Sequence, residues 1–177
     1  LTTIEYLNKI DNNVAINIAA IIGNGPLRIW GVGWNDKPAN KKQIENMKSV
    51  LRECMEEGAW GLSTGLDYAP GAFASTDELI ELSKEARKLG GFYHTHTRAS
   101  LASPQNILAP FDEALEIASK SELPLHLTHY YQKMSYVHEK NIVNGKYTDY
   151  LGLIENARAK GMDVTFDCYT YPYSGTT

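Results

Sequence analysis

Apolar positions along the chain alternate between two spacings, and the alternation predicts a succession of strands and helices. Thr2-Thr3-Ile4-Glu5 has the form of a capping box and predicts a short helix from Thr2 to about Ile10, closed by Asp11-Asn12-Asn13. Val14 to Ile22 is nearly all apolar and rich in β-branched residues, the pattern of a strand covered on both faces, and Gly23-Asn24-Gly25-Pro26 ends it. From the cap Asn40, apolar residues Ile44, Met47, Val50, Leu51 and Met55 recur at helical steps as far as the stop at Gly58. Trp60 to Ser63 reads as a short strand, and Thr64 to Ala74 as an irregular loop broken by Gly65, Pro70 and Gly71. A second capping box, Ser75-Thr76-Asp77-Glu78, opens a helix with Leu79, Leu82, Ala86 and Leu89 inward and Gly90-Gly91 at its end. Phe92 to Thr97 is then a strand, Pro104 to Lys120 a helix, Leu125 to His129 a strand, Thr148 to Lys160 a helix and Asp163 to Asp167 a strand.

Strand starts near 14, 60, 92, 125 and 163, with four full helices between them, give the spacing of βαβ units and an α/β fold with a parallel sheet. That rhythm suits either a doubly wound sheet or part of a (β/α)8 barrel, and a whole barrel typically needs about 250 residues. The chain has 177, with no linker or shift in composition, so residues 1–177 are expected to form a single partial domain.

Composition narrows the class of partner. The chain is 43% hydrophobic and 21% charged with a net charge of -4, which argues against a nucleic-acid binder. Its longest apolar run, Val14 to Ile22, is about half of the ~20 residues a membrane span needs, so no membrane association is expected. Cys54 and Cys168 are far apart in no metal-like spacing, which fits a reducing compartment and a cytoplasmic location.

Ligands bind at the carboxyl ends of parallel strands, and His96 and His129 both end one. Imidazoles so placed on adjacent strands can ligate zinc, or each can be a hydrogen-bonded strand-end histidine. His94 shares a strand face with His96 and is expected one layer deeper. His126 is expected on the face opposite His129, toward the helices, and His138 in a polar loop. Gly23-Asn24-Gly25 is too short for a dinucleotide fingerprint. Gly61-Leu62-Ser63-Thr64-Gly65 matches the Gly-x-Ser-x-Gly pattern of a serine hydrolase, but that elbow needs a helix directly after the serine, and Leu66 to Ala74 reads as a loop. Tyr68, Tyr169, Tyr171 and Tyr173 fall in loops after strands, where a phenol either packs or donates to a substrate carbonyl.

Four segments take the reading further. Gly58-Ala59-Trp60-Gly61-Leu62-Ser63-Thr64-Gly65-Leu66-Asp67-Tyr68-Ala69-Pro70-Gly71 resembles the "GA-x-GLSTGL-x-Y-x-PG" run of the N-acyl-D-amino-acid deacylases (D-aminoacylases) of the amidohydrolase superfamily. Thr95-His96-Thr97-Arg98 resembles that family's "T-H-x-R" strand, and Leu123 to His129 its "VPV-x-I-S-H" strand. Asp163 to Asp167 with Tyr171-Pro172-Tyr173 is similar to its "DVTAD…YPY" segment.

The resemblance implies the central part of a metal-dependent (β/α)8 barrel, with about five of its strands. It implies that His96 and His129 are zinc ligands and that Tyr68 lies near the scissile amide of an N-acyl-D-amino acid. Within the same motifs Arg98 and Tyr171 become substrate-binding candidates. No lysine occurs in Trp60 to Ser63, so the carbamylated lysine of the hydantoinase and dihydroorotase branches has no candidate there. Three family features have no counterpart in these residues: the first-strand His-x-His, the bridging cysteine and the catalytic aspartate of the last strand. The isolated chain is therefore expected to be inactive. Asn24 stands where the family often has histidine, Ala99-Ser100 replace an acidic pair, and Tyr130-Tyr131 replace residues that include a substrate-contacting lysine. Open barrel edges predict self-association. The competing readings are a non-catalytic α/β binding or scaffold domain with packed histidines, and a serine hydrolase using Ser63.

Overall fold

The computed structural model describes residues 1–98, 108–130 and 148–170. The chain runs α1 (Thr3–Ile10), β1 (Ile22–Gly23), α2 (Asn24–Gly31), α3 (Lys41–Glu56), β2 (Gly61–Gly65) and a 3-10 turn (Gly71–Phe73). It continues through α4 (Thr76–Lys88), β3 (Phe92–His96), α5 (Ala109–Ser121), β4 (Leu125–Leu127), α6 (Thr148–Ala159) and β5 (Val164–Phe166). All paired strands are parallel and their order is β1-β2-β3-β4-β5. A doubly wound sheet reverses its strand order at a switch point, whereas a barrel adds each strand beside the last. The unbroken order therefore settles the alternative in favour of a sector of a (β/α)8 barrel.

One face of the sheet is sealed by helices. Leu62, Tyr93, Leu125, Leu127 and Val164 alternate along the strands and are almost wholly buried, joined by Met47, Leu51, Leu79, Leu82, Ile117 and Ile154 from the helices. Thr64 and Thr95 share that side, and Thr64 Oγ1 lies 2.7 Å from Thr95 Oγ1 and 3.0 Å from the Tyr93 hydroxyl. Burial pushes the Tyr93 phenol up to about 12, outweighing those hydrogen bonds. Where β2 meets β3, a Cβ at Gly61 would collide with the backbone of Phe92, so the close approach of these strands requires glycine.

The caps behave as the sequence indicates, with one exception. Asn40 and Gln43 form a complete capping box at α3, and Thr2 and Glu5 form one at α1. At α4, Ser75 accepts from the Glu78 amide, but the Glu78 side chain does not return to the cap. It is wholly buried and paired with Arg28 of α2, and it also accepts from the Ala39 amide at 3.2 Å. Arg28 further donates to the Lys37 carbonyl at 2.9 Å, so one ion pair ties α2, α4 and the connection between α2 and α3 together.

Two expectations are corrected. Val14 to Ile22 is not a buried strand: only Ile22–Gly23 pair with β2, and Val14, Ile16 and Ile18 are exposed. β1 is an edge strand, and no described strand covers its outer side. The residues after it form α2, with Pro26 in its first turn, so Gly23 to Pro26 open a helix as well as ending a strand. The first part of the helix predicted over Pro104 to Lys120 lies outside the described residues, and the rest is α5.

Candidate metal centre

The face of the sheet away from the helices is polar and half-buried. Strand register aligns Ser63 with His94, His94 with His126 and His126 with Thr165, and one step further along it aligns Gly65 with His96. Period-two alternation alone puts these side chains on one face.

His96 and His129 come together as expected. His96 Nδ1 faces His129 Nε2 at 2.7 Å, with the rings edge to face. The other nitrogen of His96, Nε2, lies 3.0 Å from Oδ2 of Asp67, whose side chain is buried. A proton held on Nε2 by that carboxylate leaves Nδ1 with a lone pair, which here accepts from His129 Nε2; a carboxylate behind the ring is also the arrangement that fixes the tautomer of a ligating histidine. Two imidazole nitrogens at the carboxyl ends of adjacent strands, one backed by a carboxylate, are donors of the kind that suits a borderline metal ion such as zinc; tetrahedral ligands stand about 3.3 Å apart, so the rings must part slightly from their hydrogen-bonded spacing to hold one.

Tyr68 joins them: its ring centroid is 5.1 Å from that of His96, and the side chain is about half exposed. Tyr68, His94, His96, Ser63 and Asn24 line a cleft of about 420 Å³, the size of a small-molecule site. The loop carrying Tyr68 folds tightly over this cleft, and a Cβ on Gly71 would lie 2.8 Å from the Gly65 carbonyl oxygen. Tyr169, on the far side, stacks on His129 with centroids 5.9 Å apart.

Arg98, the expected substrate contact, also meets protein groups. It donates to both carboxylate oxygens of Glu113 at 2.6 and 3.1 Å, and to the carbonyls of Ala72 and Ala74 at 2.9 and 3.0 Å. The guanidinium thus ties the loop bearing Tyr68 to α5. Tyr171 lies outside the described residues, as do Tyr173 and His138. Ser63 sits inside β2 with no helix directly after it, so the nucleophile-elbow reading fails on geometry.

His126 is the clearest correction at the site. It faces the polar side, not the helices, and its ring stacks on His94 at 5.1 Å with the planes 6° apart. The alternation that put His126 opposite His129 assumed a strand through 129, but β4 ends at Leu127 and His129 has a φ of +40°. Nε2 of His126 is 2.9 Å from Asp167 Oδ2, and Nδ1 is 2.8 Å from Thr165 Oγ1. Burial would raise the Asp167 carboxyl, but hydrogen bonds from His126 and from the His129 amide outweigh it and hold it below the usual range. Burial, with repulsion from His126, holds His94 below its ordinary value. His94, His126 and Asp167 offer ligand atoms within 4.8 Å of one another. Stacked parallel rings, however, keep their in-plane lone pairs in separate planes, and here His126 bonds Asp167 while His94 stacks on His126 and meets Thr128 Oγ1 at 3.0 Å, a packed layer beneath the His96–His129 pair.

No family model matches the chain. It is similar to a D-aminoacylase of Alcaligenes xylosoxydans xylosoxydans, 32% identical over 173 residues that make up 97% of this chain and 34% of that protein. A crystal structure of D-aminoacylase described as defining a novel subset of amidohydrolases superposes with a TM-score of 0.81 at 29% identity, over 96% of this chain and 34% of that one. The N-acyl-D-glutamate deacylase of Bordetella bronchiseptica, solved with zinc and a phosphonate mimic of the reaction's tetrahedral intermediate, superposes with a TM-score of 0.84 at 27% identity over 97% of this chain and 34% of that one. The chain spans about a third of the length of the relatives it matches.

Proposed function

We propose that this chain, which belongs to the N-acyl-D-amino-acid deacylase family of the amidohydrolase superfamily, supplies half of a zinc site and one wall of the substrate cleft for hydrolysis of N-acyl-D-amino acids. The observation that carries the proposal is the convergence of His96 Nδ1 on His129 Nε2, with Asp67 behind and Tyr68 beside. Zinc held there would supply Lewis acidity toward the acyl carbonyl and the attacking water.

The chain's own residues do the rest of what this segment contributes. Asp67 keeps the proton on His96 Nε2, so that Nδ1 presents a lone pair to the centre. The Tyr68 hydroxyl donates a hydrogen bond to the acyl oxygen, and that bond strengthens as negative charge develops there. Arg98 acts at one remove, through Glu113 and the carbonyls of Ala72 and Ala74, to fix the loop that carries Tyr68. Tyr171 is proposed as a substrate contact on its Tyr-Pro-Tyr motif alone.

The test is amine release from N-acetyl-D-glutamate and its L enantiomer by the zinc-loaded protein that carries this segment. Turnover of the D form that is lost in His129→Ala supports the proposal. Equal turnover of both enantiomers, or activity that survives His129→Ala, overturns it.

The proposal extends to the state of the protein. Residues 1–177 act as one partial domain, and the protein resides in the cytoplasm, in keeping with two free cysteines. No helix among the described residues is long and apolar enough to cross a membrane. Self-association is supported by Val14, Ile16 and Ile18, which lie exposed beside the edge strand β1 where a second copy can cover them. Light scattering that shows a concentration-independent monomer contradicts that part.

A further inference from the structure

We propose that Asp167, oriented by His126, is a positioning residue: it clasps the turn after β4 and so holds the His129 imidazole against His96. The inference rests on the reading of His96 and His129 as metal ligands and adds what puts the second one in place.

The problem that Asp167 solves arises from strand geometry. His126 already points to the polar face, and a strand continued past Leu127 would send residue 129 to the helix side. The chain avoids this by leaving the strand at Thr128 and placing His129 in the left-handed region, at a φ of +40°. A residue with a Cβ holds that conformation only where its surroundings over-determine it. From the β3 side, the Thr128 amide donates to the Thr95 carbonyl at 3.0 Å.

From the β5 side Tyr169 stacks on the His129 ring, and Asp167 holds the main chain of the turn. The Asp167 amide donates to the Leu127 carbonyl at 3.1 Å, and the Asp167 carbonyl accepts from the Tyr130 amide at 2.7 Å, so its main chain brackets the turn at both ends. Between them, Asp167 Oδ1 accepts from the His129 amide at 2.6 Å. The remaining oxygen, Oδ2, accepts from His126 Nε2 at 2.9 Å, and Thr165 Oγ1 meets the other side of that ring at 2.8 Å. The carboxylate therefore has one oxygen for the turn and one for the histidine that fixes its rotamer. An amide in its place keeps an acceptor oxygen for the His129 amide but turns its NH2 to His126, which can then accept only by switching tautomer.

The experiment pairs cobalt(II) titration, followed by visible absorption, with nuclear magnetic resonance of protein carrying ¹⁵N-histidine. It compares the wild type with Asp167→Ala, Asp167→Asn and His126→Ala, with thermal unfolding as a check that each variant is folded. Asp167→Ala is expected to weaken cobalt binding by about 10–100-fold and to alter the absorption bands of the bound ion. Its His129 amide resonance is expected to move upfield and to exchange faster with solvent. Asp167→Asn should fall between Asp167→Ala and the wild type, and His126→Ala should lose less than Asp167→Ala. Unchanged affinity and an unmoved His129 amide in folded Asp167→Ala overturn the inference and leave the metal reading standing. A wild type that binds no cobalt overturns the metal reading, and the His129 amide then decides the positioning role alone.

Discussion

The two faces of one sheet obey opposite rules. Toward the helices, Leu62, Tyr93, Leu125, Leu127 and Val164 are closed off, and the strand hydroxyls on that side pair with one another, as Thr64 does with Thr95 and Tyr93. On the other face, the half-buried Ser63, His94, His96 and His126 and the exposed Thr165 form rows of polar groups. Burial dominates the first face, whereas direction dominates the second, because a ligand or hydrogen-bond donor is useful only when it is aimed. The comparison teaches that stability and chemistry are separable here, residue by residue along the same strands, and each side can be attacked without the other.

The largest loss of stability is expected in the helix layer. Arg28→Ala leaves Glu78 buried without its partner and should cost about 3–5 kcal/mol in urea unfolding. The double replacement Arg28→Met with Glu78→Leu should cost less than Arg28→Ala alone, and an equal or larger loss would mean that the charges themselves sustain the packing. Next comes the sealed face: Leu127→Ala, at a wholly buried position, should destabilise by about 2–5 kcal/mol, with any zinc affinity of the folded variant within a few-fold of wild type. If Leu127→Ala abolishes zinc binding while the fold survives, the two faces are not separable. Asp67→Asn should do the reverse, lowering zinc affinity about 10–100-fold with little change in the unfolding midpoint.

The smallest effect is one of pH. Burial would raise the Glu85 carboxyl, but hydrogen bonds from Lys88 and Arg52 outweigh it and leave its pKa lowered. A lowered carboxyl contributes stability above the ordinary glutamate range and loses it as pH falls through the depressed value. Unfolding midpoints should therefore drop on acidification below about pH 4.5, and less steeply in Glu85→Gln. Parallel pH curves for both proteins would remove Glu85 from the account.

How much of this could be read from the residues follows the same division. Alternation and helical spacing suffice for the sealed face, since burial is a property of pattern, and the caps at Thr2 and Asn40 are local in sequence. The same local rule misled at Glu78, where a partner 50 positions away claimed the side chain. Val14 to Ile22 misled because an apolar run signals something to be covered, and burial depends on neighbours that lie beyond the run itself. At the site, His96 and His129 were legible as strand ends. Asp67 was not, because a lone acid in a glycine-rich loop gives no sign that it will meet a ring 29 positions later. The period-two rule puts His126 on the wrong face because it carries no information on where a strand stops. The left-handed turn at His129 has no glycine or asparagine to announce it, and its clasp comes from Asp167, 38 positions on.

The central claim is that His96 and His129 form a metal half-site, and zinc titration calorimetry on the purified protein beside His96→Ala and His129→Ala tests it most directly. The account predicts saturable binding in the wild type that is lost in both variants while all three remain folded. Binding that is equal in all three, or absent from the wild type, would contradict it.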